Sequence, residues 1–189
     1  MTLPGIEIRL PQWVAPFIDG RATFSSMEDR MGLAIALADQ NAQRGTGGPF
    51  GAAVFESVTG KLVAVGVNLV VPLNNSVLHA EIVAFMMAEA RLASYSLGAP
   101  NLPGHELVTS CEPCAMCLGA TLWAGVRRVV CGATREDASE ILFDEGPVFP
   151  ESWHYLAERG IEVVREVLRS DARAALAQYA RQRGTIYNG

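Results

Sequence analysis

His79-Ala80-Glu81 and, further along, Pro113-Cys114-Ala115-Met116-Cys117 are the two short stretches from which the rest of this 189-residue chain can be read. Zinc favours imidazole nitrogen and thiolate sulfur in tetrahedral geometry, and a catalytic zinc keeps three protein ligands with the fourth corner open to water. His79, Cys114 and Cys117 supply three such ligands. Their two thiolates balance the charge of the ion, so a fourth anionic ligand is not needed and water at the open corner ionises near neutral pH. Glu81 is then free to move protons.

The spacing supports the same reading. Pro113 suits the first position of a helix, and Cys114 and Cys117, three apart, would share one face of its first turn. His79 precedes an apolar, helix-forming run through Ile82, Val83, Phe85, Met86 and Met87. Two helix N-termini can therefore converge on the metal with their positive ends, which favours thiolate over thiol. Each half alone is weak: a lone C-x-x-C is often redox-active or part of a structural zinc site, and a lone histidine before a helix is usually a capping residue. A redox reading gives His79 and Glu81 no task. A closed structural site needs a fourth ligand, which Cys111 could supply only by straining the turn before Pro113.

The length, with 50% hydrophobic and 19% charged residues, suits one well-cored domain over 1–189, with an irregular N-terminal arm (1–25) and a short C-terminal tail (184–189). No apolar run reaches the length of a membrane span and the first ten residues lack a signal-peptide pattern, so a cytoplasmic protein without membrane partners is expected. Four cysteines make no disulfide framework, and two are better used on metal. A net charge of -5 argues against a broad phosphate-binding surface, so no nucleic-acid partner is expected and small neutral substrates are favoured.

In chain order, Ser25 and Glu28 form a capping-box pattern before a first helix running toward Gly45. Phe50 to Ser57 and Lys61 to Asn68 read as two strands joined at Thr59-Gly60. A second helix starts at His79, a strand covers Glu106 to Ser110, and the Cys114 helix runs to about Trp123. Arg128 to Gly132 reads as a strand and Ala133 to Pro150 as an acidic, turn-rich insertion. A short helix to Gly160, a fifth strand over Ile161 to Leu168, and an Ala-rich helix capped at Ser170-Asp171 complete the pattern. Strands alternating with helices predict a layered α/β fold, three layers deep, with a five-stranded mixed sheet between helices.

H-x-E followed by P-C-x-x-C is the signature of the zinc nucleobase deaminases, and from Met27 onward the chain resembles the cytidine-deaminase-like superfamily. Within it, the nearer likeness is to bacterial guanine deaminases. That likeness is carried by Gly48-Pro49-Phe50, Asn68-Leu69-Val70-Val71, the Thr109 to Cys117 run, Leu122-Trp123-Ala124-Gly125 and Phe143-Asp144-Glu145-Gly146-Pro147. Two departures stand out: Ala115 where many relatives have proline, and Glu145 where some have aspartate.

The resemblance implies Zn2+ on His79, Cys114 and Cys117, hydrolysis of guanine to xanthine and ammonia, and Glu81 and Glu145 as the proton-moving pair. Asn68 and Glu145 suit the donor and acceptor edge of a base, Asp144 is a further contact, and Phe50 and Trp123 would flank the ring. The relatives also suggest a homodimer, in some cases with the C-terminal segment of one subunit near the other's active site, an arrangement that would let Tyr187 or its neighbours help close the pocket. Alternatives within the superfamily are a tRNA adenosine deaminase, a cytosine or cytidine deaminase and an amino-triazine deaminase. Outside enzymes, the alternative is an inactive zinc-stabilised interaction domain.

Overall fold

The computed structural model describes residues 3–20 and 22–188; Met1, Thr2 and Arg21 of the N-terminal arm and Gly189 of the tail lie outside them. The elements in order are α1 (Val14–Ile18), α2 (Met27–Gln43), β1 (Gly51–Glu56), β2 (Leu62–Val67), α3 (Ala80–Leu92), β3 (His105–Cys111), α4 (Ala115–Ala124), β4 (Arg128–Ala133), α5 (Arg135–Ser139), α6 (Pro150–Glu158), β5 (Glu162–Val164) and α7 (Arg169–Arg181). The strands form one sheet in the order β2-β1-β3-β4-β5. β1 is antiparallel to both β2 and β3, whereas β3-β4 and β4-β5 are parallel, so the expected five-stranded mixed sheet is present.

Alternation along the strands separates two cores, because successive side chains point to opposite faces. Ala52, Val54, Leu107 and Val129 pack on one face with Ala84, Phe85 and Leu118 of α3 and α4. Ala53, Phe55, Val108 and Val130 pack on the other with Met31, Leu33 and Leu37 of α2. A third cluster, at the C-terminal ends of β3 and β4, joins Cys111, Ala133 and Phe143 to Leu176 and Tyr179 of α7. The result is the three-layer arrangement, with helices on both faces of the sheet.

Glycine brings the helices onto the sheet. A Cβ on Gly66 of β2 would lie 2.1 Å from the Ala80 carbonyl oxygen and 2.4 Å from the Ala84 nitrogen, so α3 rests on bare backbone there. Gly51 of β1 stands in the same relation to α2, with Ala34 O at 2.4 Å and Ala38 N at 2.6 Å. At the end of the sheet away from these helix starts, the fully buried Glu106 carboxylate accepts from Arg30 and from Arg128, the latter at 2.9 Å.

Several element boundaries differ from those expected. The capping box of α2 is Ser26 with Asp29, one residue later than Ser25 with Glu28: Ser26 Oγ accepts from the Asp29 N–H at 3.0 Å and the Asp29 carboxylate accepts from the Ser26 N–H at 3.3 Å. Pro113 stands outside α4, whose N-cap is Cys114 in extended conformation. Proline holds the residue before it extended, which suits the end of β3 and delays the helix by two residues. β5 stops at Val164 because the chain leaves the sheet through Glu166 (φ 64°) and Leu168 (φ 50°). Leu168, and not Ser170-Asp171, is the N-cap of α7. The acidic insertion contains α5, whose capping box pairs Thr134 with a buried Asp137.

Candidate active site

His79 and Cys114 are the N-cap residues of α3 and α4, and Cys117 is the third residue of α4. An N-cap side chain sits beside the third helical residue, where it usually accepts a backbone hydrogen bond. Neither His79 nor Cys114 makes such a bond, so both side chains are free to turn toward each other. His79 Nδ1 lies 3.4 Å from Cys114 Sγ, and the ligand atoms of all three residues lie within 4.8 Å of one another. Tetrahedral zinc with ordinary Zn–S and Zn–N bonds sets its ligand atoms about 3.5–3.8 Å apart, so these three fit the ion.

The electrostatics fit as well. The Cys117 thiol donating to Cys114, with His79 beside it, pulls Cys114 down to about 4 against its burial. The same hydrogen bond and burial hold Cys117 far above its ordinary value. Without a cation, then, one sulfur is ionised only because the other keeps its proton; a divalent ion lets both be thiolates. Burial alone would lower His79, but the Cys114 hydrogen bond and the Glu81 charge outweigh it and raise the net value.

Glu81, the second residue of α3, is 6% exposed beside this group. Burial, and then the Cys114 thiolate, push it up to about 7. Glu145, on the loop between α5 and α6, is pushed up to about 8 by burial, Cys114 and Glu81. The positive charge that neutralises the thiolates would draw both carboxyls back down.

The cleft beside the metal ligands is lined by Phe50, Asn68, His79, Glu81, Glu112, Phe143, Asp144, Glu145 and Tyr187. Asn68 is 1% exposed; its Oδ1 accepts from the Val70 N–H at 3.2 Å, while its buried Nδ2 has no partner. The Tyr187 hydroxyl is likewise buried, and it faces the Asn68 side chain without a well-formed hydrogen bond. It fits there because Gly48 is bare: a Cβ on Gly48 would lie 2.1 Å from that hydroxyl. Phe50 meets Phe143 edge to face at 4.9 Å between centroids, and Phe143 meets Tyr187 at 5.0 Å.

The structure thus gathers eight of the nine expected site residues: His79, Cys114, Cys117, Glu81, Glu145, Asn68, Phe50 and Asp144. Asp144 spends a carboxylate oxygen on the Gly146 N–H, 2.9 Å away. Trp123 is not brought in. It is 85% exposed in the last turn of α4 and lines a separate groove with Tyr155 and Arg159. Helix phase explains this: Trp123 lies more than a turn beyond Cys117, whose face is turned into the core. Sequence reasoning assigns no site role to Phe143 or Glu112. Their only signals were the aromatic next to Asp144-Glu145 and the carboxylate directly before Pro113-Cys114.

A mixed five-stranded sheet that presents a His-x-Glu helix start to a Cys-x-x-Cys helix start defines a zinc-dependent aminohydrolase. The chain belongs to the family described as the cytidine and deoxycytidylate deaminase zinc-binding region, whose model matches residues 25–133. Among its relatives, the guanine deaminase of Bacillus subtilis (strain 168) is 41% identical over 118 residues, covering 62% of this chain and 71% of that protein. The solved guanine deaminase from Nitrosomonas europaea superposes with a TM-score of 0.89 at 41% identity, covering 96% of this chain and 99% of that one. A further solved structure, in complex with 2,6-diaminopurine, has a TM-score of 0.87 at 44% identity and covers 96% of both chains. Among the described residues, no helix is long and apolar enough to cross a membrane.

Proposed function

We propose that this protein hydrolyses guanine to xanthine and ammonia, as a cytoplasmic homodimer whose subunit uses residues 1–189 as one catalytic unit. The observation that carries the reading is the pairing of Asn68 and Glu145 in one cleft with the Phe50 and Phe143 rings. The amide donor of Asn68 and the carboxyl of Glu145 meet a base edge that offers both acceptors and N–H donors. The aromatic rings supply flat apolar walls for a planar heterocycle. The likeness to guanine deaminases supports the same choice.

His79, Cys114 and Cys117 would hold zinc, whose bound state supplies a water that ionises near neutral pH. Glu81 takes one proton from the attacking water and hands it to the ring nitrogen beside C2, so that oxygen adds to C2 as that nitrogen gains hydrogen. Glu145, which lines the same cleft, passes a proton to the departing amine. The C2–N bond breaks, ammonia leaves, and the hydroxyl now on C2 gives up its proton, which restores Glu145 and leaves the oxygen as the C2 carbonyl. Asn68 holds the base edge while this happens. Phe50 and Phe143 keep the ring from tilting and exclude bulk water.

The test is ammonia release by zinc-loaded protein on guanine, adenine, cytosine, cytidine, adenosine, an amino-triazine and a tRNA anticodon stem. Guanine dominating, with Glu81→Gln cutting kcat by at least about 100-fold at unchanged zinc content, is the expected result. Turnover of another member with guanine inert would overturn the substrate. Silence across the panel would favour the inactive interaction domain.

A further inference from the structure

Residues 143–149, which carry Glu145, have no helix or strand of their own. Their position therefore depends on side-chain and backbone tethers to neighbours. The Ala115 N–H, at the start of α4, donates to the Glu145 carbonyl at 3.0 Å. Asn188 accepts from the Asp144 N–H at 2.9 Å, but Asn188 belongs to the tail beyond α7. The third tether comes from Arg135, whose Nη1 donates to the Val148 carbonyl.

Arg135 is unusually well placed to be a fixed point. It is the first residue of α5, where the capping box of Thr134 and Asp137 sets the helix start. Its own N–H donates to Glu112 Oε2 at 3.2 Å. Glu112 is 3% exposed, and its other oxygen is held by Arg165, whose guanidinium lies 5.3 Å from the centre of the Trp153 ring. Arg169 locks Asp137 from α7 at 2.8 Å. Anchored by both halves of its backbone turn, Arg135 extends a rigid, planar donor to a loop that lacks one.

We propose that Arg135 is a positioning residue: by holding the Val148 carbonyl while Ala115 holds that of Glu145, it fixes where the Glu145 carboxyl meets the substrate. This rests on the role given to Glu145 above. A residue that acts only through Glu145 should lose its effect once Glu145 is gone, whereas a residue needed merely for folding should not.

The experiment is a double-mutant cycle of Arg135→Gln with Glu145→Gln, with Arg135→Lys as the conservative variant, read on the base that wild type turns over fastest. Arg135→Gln should lower kcat about tenfold alone and less than about twofold in the Glu145→Gln background, with Arg135→Lys recovering most of the loss. If Glu145→Gln leaves too little turnover, the same cycle is read in the affinity for 8-azaguanine. In parallel, hydrogen exchange of amides 144–149 should quicken in Arg135→Gln while that of β1 stays unchanged. An equal loss in both backgrounds, or unchanged exchange in 144–149, overturns the proposal. A wild type inert on every base would sink the function proposed above, and the exchange comparison would still decide this one.

Discussion

Replacing Gly66 by alanine tests whether the placement of α3 on the sheet sets the chemistry. The added Cβ would lie 2.1 Å from the Ala80 carbonyl oxygen and 2.4 Å from the Ala84 nitrogen, both backbone atoms that cannot rotate aside. Comfortable contact begins near ~3.5 Å, so α3 must retreat by roughly 1 Å. Overpacking of this kind destabilises by about 1–3 kcal/mol, and in a protein of this size each kcal/mol lowers Tm by about 2–4 °C. The expected fall in Tm for Gly66→Ala is therefore about 2–12 °C. Ala80 lies between His79 and Glu81, so the retreat carries a proposed metal ligand and the proposed proton carrier with it. Misplacing reacting groups by about 1 Å can reduce rate 100-fold.

Gly51→Ala is the matched control, since its Cβ would strike Ala34 O at 2.4 Å and Ala38 N at 2.6 Å on α2, a helix that lines no part of the cleft. Both variants should lose stability by differential scanning fluorimetry. Only Gly66→Ala should lose more than about tenfold in kcat per folded, zinc-loaded molecule, with Gly51→Ala within about threefold of wild type. If Gly66→Ala unfolds earlier yet turns over like Gly51→Ala, the coupling of α3 position to chemistry is refuted.

Glu106→Gln leaves Arg30 and Arg128 facing a neutral amide in a buried site; urea denaturation should show a loss of about 3–5 kcal/mol, and a change under 1 kcal/mol would mean that the pair is not buried in solution. Asp137 is held below the usual carboxylate range first by Arg169, against its burial. Its folded-state pKa is lowered, so its contribution is complete above the ordinary value near ~3.8 and disappears as pH falls through the lower folded value. The gap in urea midpoint between wild type and Asp137→Asn should accordingly be flat at neutral pH and close in acid; a gap that widens in acid would contradict the sign. Deleting residues 185–189 removes Tyr187 from the cleft and should raise KM for the base several-fold with zinc content intact, and unchanged KM and kcat would show that the tail has no part in binding.

The sheet and the meeting of His79 with Cys114 and Cys117 were legible because their signals are local. His79 and Glu81 share one helix start, Cys114 and Cys117 another, and the β1-β2 hairpin needs only the Thr59-Gly60 turn between two apolar runs. What was misread depends on partners far away in the chain. Asp137 looks like one more acid in a polar insertion, yet it is buried, because Arg169 and Arg173 arrive from α7 to pair with it. Trp123 reads as one wall of the pocket, but the rotation of α4 sends it to the surface while Phe143, from another loop, meets Phe50 edge to face. Leu168 could not be read as a cap, since nothing in its side chain announces a left-handed backbone.

The order in which the strands pair also has a kinetic meaning. β1 and β2 meet across a short turn, but β1 must then find β3, with Ala52 opposite Thr109. His79 precedes that encounter in the chain and the two cysteines follow it, with 35 residues separating His79 from Cys114. Non-local pairing of this kind is the slow part of folding. The three ligands therefore become neighbours only after the barrier is largely crossed, and the free energy of holding zinc falls on the unfolding side of it. The ion should act as a latch on the finished molecule: it delays departure from the native state without hastening arrival.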